Sequence, residues 1–123
     1  MNLIKRLNPD FCFKDYRGSL VQLVKNGYKQ VNVIESVKGV VRGGHYHVKN
    51  SEAFYIIYGE VRLRAWNLGN EEDNEEYIFS DGDMFEIDAL TVHDFFFIKK
   101  TLLVSMYSDG VELENGEKDI IAI

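Results

Sequence analysis

Two histidines stand two residues apart, His45 and His47, and a glutamate, Glu52, follows five residues after the second. On a β-strand alternate side chains share a face, so His45 and His47 point one way and Tyr46 the other. The residues between, Val48 to Ser51, include Asn and Ser, which favour a turn. Glu52 then opens the next strand and reaches back toward the imidazoles. Two imidazoles and a carboxylate converging in this way form a divalent-metal constellation. Gly43-Gly44 lies just before His45. Paired glycines inside a strand point to a bulge or to a close approach of another group to the backbone.

The flanking segments must supply the strands. Residues 1 to 10 read as a lead-in with one helical turn, and Phe11 to Phe13 as a short strand. Asp15 to Ser19 is a turn by its Asp and Gly. Leu20 to Val24 is strand-like, and Lys25-Asn26-Gly27 carries the Asn-Gly signal of a hairpin. Val31 to Val37 and Val40 to His47 follow as strands. Ala53 to Tyr58 is dense in aromatic and β-branched residues, hence buried. Val61 to Asn67 alternates, with Val61, Leu63 and Ala65 on one face and Arg62, Arg64 and Trp66 on the other. Gly69 to Glu76 is an acidic, solvated hairpin tip. Tyr77 to Phe79, Met84 to Ile87, His93 to Ile98 and Leu102 to Tyr107 complete the pattern, with Ser80 to Asp83 a turn. The tail from Ser108 is polar and turn-rich until its last four residues. Nine or ten short strands without helical periodicity predict an all-β chain that closes into a barrel or jelly roll.

Composition sets bounds. The 123 residues are 46% hydrophobic with a single proline, which suits one folded domain spanning 1–123. A net charge of −6 argues against nonspecific nucleic-acid binding. An anionic small ligand held by local arginines is compatible with it. Cys12 has no intrachain disulfide partner; between Phe11 and Phe13 it is expected as a small buried hydrophobe. No apolar stretch approaches the ~20 residues that span a bilayer, and the start of the chain lacks a signal-peptide run. Both point to a cytoplasmic protein without a membrane partner.

The spacing of Gly39, His45, His47, Glu52 and Gly59 resembles the first motif of the cupin superfamily at every fixed position. Gly82 and His93 fall at matching places of the second motif. Asp88 stands where that motif has proline, Leu90 where it has glycine, and Phe97 where it has asparagine. The resemblance covers residues 30 to 107, and all three histidines of the chain land on motif positions. It implies a double-stranded β-helix, the jelly-roll cupin barrel, with His45, His47, Glu52 and His93 converging inside its mouth. Three imidazoles and a carboxylate suit Zn²⁺, Fe²⁺, Mn²⁺ or Ni²⁺. A tetrahedral Zn²⁺ taking all four is closed, so open positions need five- or six-coordination. In a metal-free cupin the same residues hydrogen-bond one another or act as bare acid and base.

A finer likeness runs through Gln30 to His47 and Asp15 to Leu20, which look like segments of nucleotide-sugar epimerases of the dTDP-4-dehydrorhamnose 3,5-epimerase kind. His45 to Phe54 (HYHVKNSEAF) is most similar to the cupin domains of capsular-polysaccharide enzymes. The resemblance implies an isomerase or epimerase acting on a nucleotide-activated keto sugar in polysaccharide biosynthesis, by enolisation beside the ketone. His45 stands in the place of those enzymes' catalytic base, and a ligating His45 cannot also be a free base. Arg42 is implied as a substrate contact. Arg62 and Arg64 either contact a diphosphate or are outward, solvated strand residues. Tyr58, on parity with Glu52, is the tyrosine expected to act as an acid. The epimerases' catalytic set extends further, and no partner motif follows His93. Two other classes share this ligand set: an oxygen-activating cupin, and a non-catalytic cupin that binds a sugar or metabolite. Cupins usually pair, so a homodimer is implied.

Overall fold

The computed structural model describes residues 2–123. Twelve strands make two five-stranded antiparallel sheets and one detached hairpin. The strands are β1 (Ile4–Leu7), β2 (Phe11–Asp15), β3 (Gly18–Gln22), β4 (Gln30–Ser36), β5 (Val41–Tyr46), β6 (Glu52–Tyr58), β7 (Glu60–Asn67), β8 (Glu75–Ser80), β9 (Met84–Ile87), β10 (Thr91–Phe97), β11 (Thr101–Tyr107) and β12 (Ile121–Ala122). One sheet runs β1-β9-β6-β11-β4, the other β12-β5-β10-β7-β8, and β2-β3 stands alone. The all-β jelly-roll architecture expected from the sequence is present. The acidic segment holds one 3₁₀ turn, Glu71–Asp73, at the tip of the β7–β8 hairpin.

The core lies between the sheets because each strand alternates. Val61, Leu63 and Ala65 of β7 are fully buried, as are Phe79, Phe85 and Phe97. Phe85 stacks on Phe79 with centroids 4.0 Å apart and on Phe54 at 5.1 Å. Such side chains each contribute about 1.5–3 kcal/mol on burial. A second apolar cluster joins Ala53, Met84, Val104 and Met106 to Leu7, Leu23, Val24, Tyr28 and Tyr55. By strand parity it covers the outer face of the first sheet.

Several local expectations change. Residues 4–7 are a strand rather than a helical turn, because they pair with β9 from Ile4↔Ile87 to Leu7↔Met84. Asn26-Gly27 does not close a hairpin: β3 pairs with β2, and β4 pairs with β11. Cys12 is exposed, not buried. It sits on the β2–β3 hairpin, which pairs with neither large sheet and leaves Phe11, Phe13, Leu20 and Val21 open to solvent. Among the described residues no helix is long and apolar enough to cross a membrane.

Gly59, one of the motif glycines, has a physical cause. Its φ is +124°, and a Cβ there would lie 2.6 Å from the Cα of fully buried Thr101 and collide with its Oγ1. Backbone strain and overpacking then add, so Gly59→Ala should lower the unfolding free energy by roughly 2–4 kcal/mol. Urea denaturation reads this directly; a midpoint unchanged from wild type contradicts the tight approach.

Candidate functional site

The two sheets each bring half of a polar cluster to one end of the core. In the second sheet, His45 on β5 lies directly opposite His93 on β10. In the first, Glu52 on β6 lies opposite Tyr107 on β11. His47 follows β5 by one residue. One ligand atom from each of His45, His47, Glu52 and His93 lies within 4.8 Å of the other three. The three residues that spacing singled out and His93, implied by the resemblance, therefore lie together.

The parity of β5 is set by a bulge. His93 faces His45 and Asp94 faces Gly43, which leaves Gly44 unpaired. Gly43 and Gly44 have φ of +102° and +72°, the left-handed region that glycine enters without cost. A Cβ on Gly43 would sit 2.8 Å from the His93 carbonyl oxygen. The extra residue brings Arg42 onto the cavity side together with His45, three positions later. Arg42 lines the cavity and its Nε donates to Ser36 Oγ at 2.7 Å.

Hydrogen bonds orient the imidazoles. His47 Nδ1 lies 2.5 Å from the Asp119 carbonyl and His93 Nδ1 lies 3.1 Å from the Thr91 carbonyl. A carbonyl only accepts, so each Nδ1 carries the proton. Each Nε2 is thereby left for Glu52 Oε1, at 3.1 Å from His47 and 3.8 Å from His93. Ser105 donates to Glu52 Oε2 at 2.8 Å. Glu52 is only 3% exposed. A buried carboxylate facing imidazole Nε2 atoms requires a proton or a cation between them.

The protonation pattern follows. Burial, then the neighbouring His93 and His47, pushes His45 down to about 4. Burial also lowers His93. Burial opposes charge on His47, but the Glu52 carboxylate and the Asp119 carbonyl outweigh it and raise its pKa. Burial, then Glu52, raises the Tyr107 phenol. The donor set fits a divalent cation: two neutral imidazoles, a third oriented through Nε2, and one carboxylate. Ligands opposed across a cation at ~2.1 Å stand ~4.2 Å apart.

Behind these groups is a cavity of about 190 Å³ whose apolar wall is formed by Ile34, Phe54, Phe95, Phe97 and Leu103. Tyr107 lines it; Tyr58 does not. A second irregularity explains this: Leu102 pairs with Tyr58 but Leu103 with Ile56, so Ile57 is extra and the parity from Glu52 breaks. The Tyr58 hydroxyl donates to Glu35 on the exterior at 3.1 Å. Arg62 and Arg64 also lie outside the cavity, on the face of β7 opposite Val61, Leu63 and Ala65. Arg62 stacks on Phe96, and Arg64 is bound to Asp94 through Nη2 at 2.8 Å. Neither arginine reaches the cavity that holds the cluster. Tyr107 and Asp119 were missed. A Ser105-x-Tyr107 alternation inside an apolar strand was the available sign for Tyr107, and Asp119 carried none.

Residues 13–115 match the polysaccharide biosynthesis C-terminal domain family. The chain belongs to this family. A curated relative, UDP-2-acetamido-2,6-beta-L-arabino-hexul-4-ose reductase of Pseudomonas aeruginosa, is 36% identical over 55 residues, which are 44% of this chain. The match spans 15% of that relative's length. Among solved structures, the 3,4-ketoisomerase QdtA of Thermoanaerobacterium thermosaccharolyticum, in complex with TDP-4-keto-6-deoxyglucose, superposes with a TM-score of 0.80 at 18% identity, over 100% of this chain and 89% of that one. The capsular polysaccharide assembling protein CapF of Staphylococcus aureus gives 0.68 at 20% identity, over 92% of this chain and 32% of that one. The rmlC epimerase of Mycobacterium tuberculosis gives 0.70 at 15% identity, over 86% and 63%. These likenesses establish the cupin-type fold.

The lowered histidines make metal-free stability pH-dependent. Between pH 6.5 and about 4 the unfolded chain protonates His45 and His93 while the folded chain resists it. Stability is thus lost as pH falls through that window, by about 2–3 kcal/mol from His45. His47, raised, keeps its contribution there and loses it only as pH rises through its folded value. Chemical denaturation of chelator-treated protein at pH 7 and pH 4.5 checks this. Equal or greater stability at pH 4.5 contradicts the burial of neutral imidazoles.

Proposed function

We propose that this cupin-type domain is an isomerase or epimerase acting on a nucleotide-activated keto sugar, with a divalent cation held by His45, His47, Glu52 and His93. The observation that carries the reading is a cavity in which His45, Glu52 and His93 of this cluster, the Tyr107 phenol and Arg42 face one apolar wall. A bound cation supplies Lewis-acid polarisation of a ligand oxygen.

The chain's own groups divide the remaining work. A general base works best with a pKa near the operating pH, and about 4 makes His45 a weak one. A neutral imidazole is what a cation needs. We therefore assign His45 to the cation rather than to proton abstraction. Tyr107 keeps its proton at neutral pH because burial and Glu52 raise its pKa. We assign its hydroxyl to protonate the enolate formed next to the ketone; the proton that leaves the carbon passes to bulk solvent, from which Tyr107 is reprotonated. Arg42, held by Ser36, presents its charge to an anionic or carbonyl group of the ligand. The wall of Phe54, Phe95 and Phe97 excludes water and suits an apolar edge of the sugar. The ligand bound in the QdtA complex, a nucleotide-linked 4-keto-6-deoxy sugar, supports this substrate class. The exposed Phe11, Phe13, Leu20 and Val21 of the hairpin offer apolar surface for a second copy in a homodimer.

Incubation in D₂O with a nucleotide-linked 4-keto sugar should show deuterium entering beside the ketone. Tyr107→Phe should slow this about 10²–10⁴-fold with metal content unchanged. His47→Ala should lose both metal and exchange. Oxygen uptake with iron and no exchange would sink the isomerase reading in favour of an oxygenase. Ligand binding with neither reaction favours a non-catalytic role.

A further inference from the structure

The segment after β11 reaches back to the ligand-bearing turn. Asp119 is 3% exposed, and its side chain is wrapped by the residues that follow His47. Val48 N–H donates to Oδ1 at 2.8 Å. Lys49 N–H, Asn50 N–H and Asn50 Nδ2 donate to Oδ2 at 2.9, 3.0 and 2.8 Å. Three successive backbone N–H groups around one carboxylate form an anion-binding nest. The anion here belongs to the chain itself, 69 to 71 residues further on. The Asp119 backbone carbonyl meanwhile accepts the His47 Nδ1 proton at 2.5 Å.

We propose that Asp119 is a positioning residue that fixes the orientation and tautomer of His47, and through them the direction of its Nε2. This rests on the reading of His47 as a cation ligand. One residue holds both the ring of His47, through its carbonyl, and the backbone immediately after it, through its carboxylate. A displacement of Asp119 therefore moves both. Neighbours brace the arrangement. Asp119 N–H donates to the Val111 carbonyl at 2.7 Å, and Asn50 Oδ1 accepts from Asp109 and Gly110 N–H, each at 2.9 Å. β12 pairs with β5, setting Ala122 opposite His45. With the carbonyl displaced, His47 Nδ1 has no fixed acceptor, and the proton is free to move to Nε2. A proton on Nε2 blocks that nitrogen as a ligand. The family match ends at residue 115, so Asp119 lies outside it.

The test compares wild type, Asp119→Ala and Asp119→Asn in three measurements: Zn²⁺ affinity by calorimetry, melting of the metal-free protein, and ¹⁵N shifts of the His47 ring. The shifts are read without metal at about pH 9.5, well above an ordinary imidazole pKa. Asp119→Ala should bind Zn²⁺ about 10–100-fold more weakly and populate the Nε2–H tautomer. Asp119→Asn opposes an amide NH₂ to the Val48 N–H while keeping the other bonds; about 3–10-fold weaker binding is expected. That variant decides the matter if Asp119→Ala does not fold. Wild-type affinity and a retained Nδ1–H tautomer in the folded variants, with only melting lowered, overturn the proposal. If wild type takes up no Zn²⁺, the cation reading fails, and the ring tautomer alone still decides the role of Asp119.

Discussion

A carboxylate buried among three imidazoles is the constraint on which the rest of this structure depends. Glu52 is nearly inaccessible to water, and the Ser105 hydroxyl satisfies only one of its oxygens. Its other oxygen faces the Nε2 atoms of His47 and His93, because carbonyls have claimed both Nδ1 protons. Isolated, such a charge costs several kcal/mol to bury. Glu52 raises the pKa of His47, its nearest imidazole; the proposed divalent cation would compensate the charge through all four side chains. The same positive centre is what enolate chemistry needs, so the requirement for stability and the proposed chemistry meet in one group of atoms.

The fold meets this constraint by dividing the ligands between two sheets. His45 and His93 are cross-strand neighbours on β5 and β10, while Glu52 and Tyr107 are neighbours on β6 and β11. Neither sheet alone contains the site; closing the sandwich makes it. The bulge at Gly44 then turns Arg42 inward without moving His45 off its face. Two residues of even and odd number thereby share one cavity, which an unbroken strand forbids. Leu90 shows the cost of departing from the family pattern. It stands where a glycine is expected, adopts φ of +68°, and donates its N–H to the His47 carbonyl at 2.7 Å. A left-handed φ is costly for a residue with a branched side chain.

Much of this was legible because the period of a strand is two. His45 and His47 flank an outward Tyr46, a turn of polar residues follows, and Glu52 restarts the alternation; no long-range information is needed. His93 was reached through its resemblance to a motif position, and the structure brings it to the others. Parity failed where a bulge intervened. It carried Tyr58 inward on paper, whereas the extra residue Ile57 turns its hydroxyl out to Glu35. It placed Arg62 and Arg64 opposite the buried face, and that is where they lie. The aromatic neighbours of Cys12 suggest a core, yet the hairpin they occupy pairs with neither large sheet and leaves the thiol exposed. Asp119 is invisible in the sequence because the partners of its carboxylate and carbonyl lie 69 to 72 residues away and no local pattern marks a carboxylate that fills a nest of N–H groups.

X-ray absorption on the metalated protein tests the central claim most directly. With one metal per chain, the first shell should contain three imidazole nitrogens and at least one carboxylate oxygen, at about 2.0–2.2 Å for Zn²⁺. A shell without imidazole scattering, or a chain that takes up no Zn²⁺, Fe²⁺, Mn²⁺ or Ni²⁺ at neutral pH, contradicts it.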